Sequence, residues 1–503
     1  MTVDPIMPGI AAPPAPTPPP ADSRVQIATF VAALLAIRCA LAAMIEPTTV
    51  ECYYWLYGNH PQLGYFDHPG VVGWTIWLSR TLFGDGALGF RVVSILLGGL
   101  TIWLSFLAGR RLYGERAGRR AAILAGLAPL LFLLETRAMP DGPLLCFWAA
   151  TVWALAHALS GDRPAWWMAA GLFAGLAMDS KYQGIFLPLG VLGFLAFSPD
   201  HRGWLRRREP YLAAVLALLA FAPTLAWNAR NGWQSLAFQG IERLEARPGQ
   251  FWKRIWGFPL SHLLLITPVV CAAAWGSGVV ALRRWRSVRW QDRLMVSMGL
   301  PILLFFLAVV FVRPVKDHWA AAGYLALLLL ASASPRWESG WSRRLLVATV
   351  AVLGVGSLAL PVVVPFLPGD FVHGWRGLAE EVRRHEPAFV LAPEYTVASA
   401  MAYQARPIPA CDYTAVGLPG RAFAGWWRAE EFAGKTAVIV LETAHYSRDV
   451  EPLKGAFDVL EGPYEVVLQR TGGKPTSWSL LVGRGYHPEA AAASADRPLR
   501  RRP

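Results

Sequence analysis

Charged residues are scarce in this sequence. Asp, Glu, Lys and Arg make up only 16% of its 503 residues, whereas 54% are hydrophobic. An ordinary soluble domain carries about 25% charged residues, so the composition excludes one soluble domain of this length. Cysteine is also rare, and the five cysteines are scattered without a C-x-x-C pair or another metal-binding spacing. Neither a Walker nor a Rossmann glycine pattern occurs, so an ATP-driven transporter has no support.

The hydrophobic residues are grouped in runs of roughly 16 to 22, the length that a helix needs to cross about 30 Å of hydrocarbon. The sequence therefore predicts a polytopic α-helical membrane protein. We predict about eleven transmembrane helices, at residues 25–45, 88–109, 118–135, 141–159, 165–179, 183–198, 210–228, 258–282, 293–312, 318–333 and 342–366.

The net charge of +13 raises the question of a nucleic-acid partner, but the position of the basic residues argues against one. They are concentrated in alternate connections between the apolar runs, at 110–120, 202–208, 283–293 and 336–344. The positive-inside rule gives this distribution for cytoplasmic loops that face anionic membrane lipids. We therefore predict a cytoplasmic N-terminus and no nucleic acid partner. An odd number of spans then places the C-terminal segment on the outer side.

The character of the sequence changes near residue 368. Short β-rich segments at 388–392 and 436–441 alternate with helical stretches at 378–385 and 396–404. This alternation predicts a small C-terminal α/β extracytoplasmic domain. We divide the chain into a disordered Pro/Ala-rich N-terminus at 1–24, a membrane domain at 25–367, the α/β domain at 368–486 and a disordered basic tail at 487–503.

A polar, aromatic-rich loop, residues 51–69, follows the first apolar run and contains Glu51, Asp67 and His68. With the predicted topology, further polar residues fall on the same outer side. We expect them to converge on one interfacial cavity, because charges at the membrane rim are costly unless they are paired or used. These residues are Asp141, Lys181, Tyr182, Asn228, Arg313, Lys316, His318 and Tyr324.

Each of these residues also has an ordinary structural interpretation. An aspartate at a helix start, such as Asp141, can serve as an N-terminal cap. Lys181 can extend to the membrane interface, and the histidines can be hydrogen-bonded loop residues. An ion-coupled transporter would carry charged residues at mid-membrane. Arg38 in the first span is the clear candidate for such a charge.

The string Glu51–Gly58, followed by Leu63–Gly70, resembles the first outer loop of bacterial family 39 glycosyltransferases. These are dolichyl-phosphate-mannose protein mannosyltransferase-like proteins of GT-C fold, related to the lipid A aminoarabinose transferases. The resemblance covers most of residues 25–480. It continues through the strings at 90–91, 111–118, 139–144, 180–182, 227–233, 318–324 and 374–378.

The resemblance implies transfer of a sugar from a polyprenyl-phosphate-linked donor at the periplasmic face of the bacterial inner membrane. The acceptor would be a lipid, lipopolysaccharide, another glycan or a protein. Such a reaction needs a carboxylate to deprotonate the acceptor hydroxyl and positive charge to stabilise the departing phosphate.

The polar residues supply candidates for each of these roles. The catalytic candidates are Glu51, Asp67 and Asp141, and the resemblance also places Asp67 near a divalent metal ion. The candidates for binding the donor phosphate are His68, Lys181, Arg313 and Lys316. Those for binding substrate are Tyr53, Tyr54, Tyr182, Asn228, His318 and Tyr324.

The sequence departs from the family pattern at Val50, where relatives usually carry an aspartate that is the favoured catalytic base. Glu51, Asp67 or Asp141 could take that role. A one-residue shift on a helix turns a side chain by about 100°, so Glu51 would need a local rearrangement. The alternative is a non-catalytic membrane protein that binds or translocates a lipid-linked sugar.

Overall fold

A computed structural model describes residues 23–161, 163–240, 251–338, 340–363, 374–418, 422–468 and 476–488. The predicted disordered N-terminus up to residue 22, the domain boundary at 367/368 and the tail from residue 489 lie outside these ranges. The helices that precede the sheet are α1 (Ser23–Met44), α2 (Thr49–Asn59), α3 (Val71–Phe83), α4 (Val92–Tyr113), α5 (Glu115–Leu127), α6 (Pro129–Thr136), α7 (Asp141–Leu159), α8 (Ala165–Ser180), α9 (Phe186–Phe197), α10 (Glu209–Arg230), α11 (Gln234–Gly240), α12 (Phe251–Leu265), α13 (Pro268–Arg283), α14 (Trp290–Val309), α15 (Ala321–Ser332) and α16 (Gly340–Val363).

In the described parts of the chain, six helices are long and apolar enough to cross a membrane. The number rises to eight if the bent pairs α5/α6 and α12/α13 each count as one span. This confirms a polytopic helical membrane protein, whereas the count of eleven stays a prediction.

The chain bends within the predicted spans 118–135 and 258–282. The bend is 62° between α5 and α6 and 107° between α12 and α13. The second helix of each pair starts at a proline, Pro129 or Pro268. A proline drives the preceding residue out of the α region, and Ala128 and Thr267 both have non-helical dihedral angles.

The expectation of a loop at 51–69 is wrong for its first half, because residues 49–59 form α2. A capping box starts this helix: the Glu51 backbone N–H donates to Thr48 Oγ1 at 3.3 Å. The Glu51 carboxylate in turn accepts the Thr48 backbone N–H at 3.1 Å. This reciprocal pattern satisfies two N–H groups that a helix start otherwise leaves without partners.

Helix α3 follows the loop that contains Asp67 and His68, and it was not predicted from the sequence. It packs closely against α2, because a Cβ atom added at Gly58 would overlap the Ile76 side chain. Gly73 of α3 likewise lies against the Tyr65 ring. The two glycines therefore allow α2, the loop and α3 to pack closely as one compact unit.

A five-stranded sheet of order β2-β1-β3-β5-β4 occupies the C-terminal segment. Strand β1 is parallel to both β2 and β3, and β5 is antiparallel to β3 and β4. All four residues of β1 are buried, as is typical of a central parallel strand covered on both faces. The elements are α17 (Trp375–Arg384), β1 (Phe389–Ala392), α18 (Tyr395–Gln404), β2 (Ala410–Asp412), β3 (Ala437–Glu442), α19 (Tyr446–Val450), β4 (Phe457–Leu468) and β5 (Thr476–Tyr486).

The C-terminal segment packs directly on α2 and the loop that follows it. The Tyr395 ring meets the Tyr53 ring edge-on, with centroids 4.8 Å apart, and Trp426 stacks on His60 at 4.9 Å. Such aromatic pairs contribute about 0.5–1.5 kcal/mol each beyond their buried area. The aromatic residues of α2 and its following loop thus form the surface on which the C-terminal segment packs.

Arg38, the mid-membrane charge, is paired with Glu135 of α6. The Arg38 guanidinium donates to the Glu135 carboxylate at 2.9 Å, and both side chains are fully buried. A buried cation with a buried partner has a structural explanation, so Arg38 gives no support to an ion-coupled transporter.

Candidate active site

A buried ion pair joins the start of α7 to the end of α8. Lys181 Nζ donates to Asp141 Oδ1 at 2.7 Å, and the side chains are only 2% and 1% exposed. Asp141 is the first residue of α7, and Lys181 leaves α8 in an extended conformation. The second carboxylate oxygen, Oδ2, is buried and has no hydrogen-bond partner among the described residues. One acceptor position on Asp141 is therefore available to a ligand.

Two histidines interact electrostatically with this pair. The Asp141 carboxylate interacts with the imidazoles of His318 and His68. His68 Nε2 lies 2.9 Å from the Tyr54 hydroxyl, which fixes the orientation of the ring. The structure thus brings Asp141, Lys181, His68 and His318 together from four separate stretches of the chain, as the sequence predicted.

Asp67 is hydrogen-bonded to two tyrosines of α2. The Tyr53 hydroxyl donates to Asp67 Oδ1 at 3.3 Å, and the Tyr57 hydroxyl donates to the same oxygen. Burial and the neighbouring Asp67 charge raise the pKa of Tyr57 well above its ordinary value. Tyr57 therefore stays a proton donor to the carboxylate over the whole physiological pH range.

Asp67 is the residue for which a metal ion was predicted. A metal ion needs several oxygen, nitrogen or sulfur ligands converging on one point. Within the described ranges, no group of three or more His, Cys, Asp or Glu side chains could hold a metal ion. A metal ion at Asp67 therefore stays a prediction, and we derive no step through it.

Glu51 has a different surrounding from the one expected of a catalytic base. Arg91 donates to both carboxylate oxygens, at 2.7 Å and 2.9 Å, and the Ala138 N–H donates at 3.3 Å. Burial would raise the pKa of Glu51, but the Arg91 charge and its hydrogen bond lower it below the ordinary value. Both oxygens are engaged in this way and in the capping box, so Glu51 fixes α2 to the start of α4. A catalytic role for Glu51 stays a prediction.

Tyr182 and Asn228 form a hydrogen-bonded group with Ser235, which the sequence did not single out. The Tyr182 hydroxyl lies 2.7 Å from Ser235 Oγ, and Asn228 Nδ2 donates to that hydroxyl at 3.3 Å. Asn228 Oδ1 accepts the Leu236 N–H at 3.1 Å. Asn228 thereby connects α10 to α11, and no motif in the sequence pointed to Ser235.

Asp179 is a second residue that the sequence analysis missed. It is fully buried near the end of α8, and its Oδ1 accepts the Thr224 hydroxyl at 2.5 Å. Tyr182 interacts electrostatically with both Asp179 and Asp67, which brings Asp179 to the edge of the site. Asp179 could have been found from the sequence, because an acidic residue at the end of an apolar run indicates a functional site.

Tyr324 lies among aromatic residues of α12 and α13. Its ring stacks on His262 at a centroid distance of 5.2 Å, and Trp275 Nε1 donates to its hydroxyl at 3.2 Å. These residues line an apolar cavity of about 580 Å³. Arg313 is buried and Lys316 is exposed, and a phosphate-binding role for either stays a prediction.

The sequence was compared with protein families and curated relatives. Residues 67–227 match the family described as dolichyl-phosphate-mannose-protein mannosyltransferase. The lipid A galacturonosyltransferase RgtD of Rhizobium johnstonii is 23% identical over 63% of this chain and 66% of its own length. An undecaprenyl phosphate-alpha-4-amino-4-deoxy-L-arabinose arabinosyl transferase of Pseudomonas aeruginosa is 30% identical over 51% of this chain. The match spans 47% of that relative.

The chain resembles the family 39 glycosyltransferases, and the family match covers about a third of it. Its fold is similar to that of ArnT from Cupriavidus metallidurans in the apo state, with a TM-score of 0.61 at 17% identity. That match covers 95% of this chain and all of the ArnT chain. ArnT bound to undecaprenyl phosphate gives the same TM-score. This likeness shows the GT-C fold that the sequence predicted.

The segment that matches the family includes four residues of the candidate site. The matched segment, 67–227, contains Asp67, His68, Asp141 and Lys181. Glu51 precedes it. The segment in common with the family is therefore the one that carries the buried ion pair and its flanking histidine.

Proposed function

We propose that the protein transfers a sugar from a polyprenyl-phosphate-linked donor to an envelope lipid of lipid A type. The observation that carries this proposal is the buried Asp141–Lys181 pair, with one carboxylate oxygen available and His68 and His318 beside it. The names of the relatives, which specify undecaprenyl phosphate and lipid A, support the same chemistry.

In the proposed reaction, Asp141 Oδ2 accepts the proton of the acceptor hydroxyl. The hydroxyl oxygen forms a bond to the anomeric carbon of the donor sugar, and the bond from that carbon to the phosphate oxygen breaks. Polyprenyl phosphate departs with the electron pair. Lys181 and His68 stabilise the negative charge that develops on the phosphate, since cations in a dry site act most strongly there.

Asp67 has a supporting role in this scheme. Its Oδ1 is held by two tyrosine hydroxyls, which fixes the loop that carries His68. With Asp141 as the base, an acidic residue at position 50 is not required. Val50 is instead a partly buried side chain packed against the core.

The acceptor site that we propose is a cavity of about 520 Å³ between the end of α1 and the C-terminal segment. Arg376, Arg383 and Arg406 line it, together with Glu46 and Glu380. Arginine binds phosphate groups in a bidentate manner, and the phosphates of a lipid A-type acceptor would match this lining. We place the site at the periplasmic face of a bacterial inner membrane, with the N-terminus in the cytoplasm.

The test is a transfer assay with purified full-length protein, a polyprenyl-phosphate sugar and lipid A. Asp141→Asn should lower the rate about 10²- to 10⁴-fold, the range that general base catalysis contributes. Glu135→Gln is the matched control, because it also removes a carboxylate from a buried ion pair, but away from the site. It should leave the rate of the folded fraction within a few-fold of wild type.

The alternative, a protein that binds or translocates a lipid-linked sugar, makes the opposite prediction. It requires donor binding without transfer in the wild-type protein. If transfer survives Asp141→Asn, Asp67→Asn and Lys181→Gln tested singly, the proposed enzyme mechanism is lost.

A further inference from the structure

A second charged cavity lies at the opposite end of the membrane helices. Helix α4 starts beside Glu51, since Arg91 immediately precedes it, and runs for 22 residues to Tyr113. At 1.5 Å per residue this is about 33 Å, close to the thickness of the hydrocarbon core of a bilayer. Helix α5 begins just beyond that end, and its first turns line the cavity.

Arginine dominates the lining of this cavity, which has a volume of about 640 Å³. Four arginines, Arg116, Arg119, Arg120 and Arg343, face one carboxylate, Glu338. Glu338 Oε1 lies 3.4 Å from Arg120 Nη2 and 3.8 Å from Arg116 Nη1. A single carboxylate cannot neutralise four guanidinium groups, so the lining has three positive charges in excess.

The remaining lining of the cavity is mostly apolar. Ile27 and Phe30 of α1, Ile123 of α5 and the buried Trp337 form this apolar wall, together with the polar Gln26 of α1. Helix α1 is itself a candidate membrane span, and only 28% of its most apolar window is buried within the protein. Hydrocarbon chains of surrounding lipid therefore have access to α1 next to the arginines.

We propose that this cavity binds the phosphate headgroup of an anionic membrane phospholipid. Guanidinium groups pair with phosphate oxygens, and basic pockets between membrane helices bind anionic headgroups. The apolar wall gives the acyl chains a surface at the same place, which a freely dissolved phosphate would not use. The site is independent of the sugar-transfer site, which lies at the other end of α4.

Native mass spectrometry of the full-length protein in detergent tests this proposal, with phosphatidylglycerol as the probe and phosphatidylcholine as the zwitterionic comparison. The variant Arg119→Gln with Arg343→Gln should bind phosphatidylglycerol about 30-fold more weakly, from about 1 kcal/mol for each cation near a membrane surface. The control, Arg206→Gln with Arg284→Gln, removes two exposed arginines from other basic connections. It should bind as the wild type does.

Two further measurements keep the result decisive. Arg119→Lys with Arg343→Lys preserves both charges and should retain the preference for phosphatidylglycerol. If the double glutamine variant does not fold, Arg119→Gln alone should weaken binding about fivefold.

Three outcomes would overturn the proposal. The first is equal binding of the two phospholipids by the wild-type protein. The second is an equal loss in the Arg206/Arg284 control, which would indicate a general surface-charge effect. The third is displacement of phosphatidylglycerol by inorganic phosphate at comparable concentration, because the site would then recognise the soluble anion.

Discussion

Replacing Lys181 by methionine should separate the stability of the candidate site from its chemistry. The substitution keeps much of the side-chain volume but removes the ammonium group that lies 2.7 Å from Asp141 Oδ1. It leaves a carboxylate that is 1% exposed without its cation. Removing one partner of a buried pair costs about 3–5 kcal/mol, because the remaining charge is buried without compensation.

A double variant distinguishes this stability effect from catalysis. In Lys181→Met with Asp141→Asn, no uncompensated charge remains, and replacing both partners of a buried pair is often nearly neutral. We therefore expect the double variant to recover most of the lost stability. Sugar transfer should not recover, because the variant has neither the proposed base nor the cation that stabilises the departing phosphate.

The assay is the apparent melting temperature in detergent for both variants and the wild type, measured alongside the transfer rate. Recovery of stability without recovery of transfer is the expected result. A double variant that regains transfer to within tenfold of wild type would refute the reasoning, since the pair would then be purely structural. An unchanged melting temperature in Lys181→Met would refute the assignment of the pair as buried.

Three other changes should have distinct effects. Glu51→Gln should lower stability by about 3 kcal/mol by breaking a buried ion pair, measured by thermal unfolding. Because the pKa of Glu51 is lowered in the folded state, its contribution is present above the unfolded pKa and is lost as pH falls through the folded pKa. Tyr57→Phe removes a donor to the Asp67 carboxylate and should cost about 1.5–3 kcal/mol, seen as slower transfer or a lower melting temperature. Arg376→Gln with Arg383→Gln should raise KM for a lipid acceptor bearing phosphates while leaving KM for the donor unchanged. An acceptor KM equal to that of the wild type, or an equal rise of both KM values, would contradict the proposed acceptor cavity.

The sequence predicted the apolar helices well because membrane spans leave a strong compositional signal. It also located β1 and β3, whose residues 389–392 and 437–442 fall within or beside the predicted segments. The bends between α5 and α6 and between α12 and α13 were missed. A proline in an apolar run is compatible with either a kinked span or two helices, and packing decides between them.

Helix α2 shows why the local structure of the candidate site was harder to predict. Its aromatic sequence lacks the apolar stripe of an ordinary amphipathic helix, because nearly every side chain is buried on all sides. The spacing of Thr48 and Glu51 is that of a capping box, which is a helix start signal in the sequence. Glu51 was a candidate base because it follows Val50, and its contact with Arg91, 40 positions away, leaves no local pattern in the sequence.

The residues that meet at the site were predicted better than their individual roles. Asp141, Lys181, His68 and His318 were expected to converge, and they do so. Tyr324 was expected there too; its ring stacks on His262, and a substrate-binding role for it stays a prediction. Both His318 and Tyr324 come from one short stretch, and sequence proximity does not reveal which way each side chain points.

The packing of the C-terminal segment on α2 has a consequence for truncated forms of the protein. Helix α2 has 11 residues, and isolated helices shorter than about 12–15 residues are only marginally stable. Contacts such as Tyr395 on Tyr53 therefore supply part of the order of the tyrosines that hold Asp67. A protein cut before α17 would retain the Asp141–Lys181 pair, but Asp67 and its loop would lose their preorganised geometry. Such preorganisation accounts for much of the rate that enzymes achieve, so the membrane helices alone would be a poor catalyst.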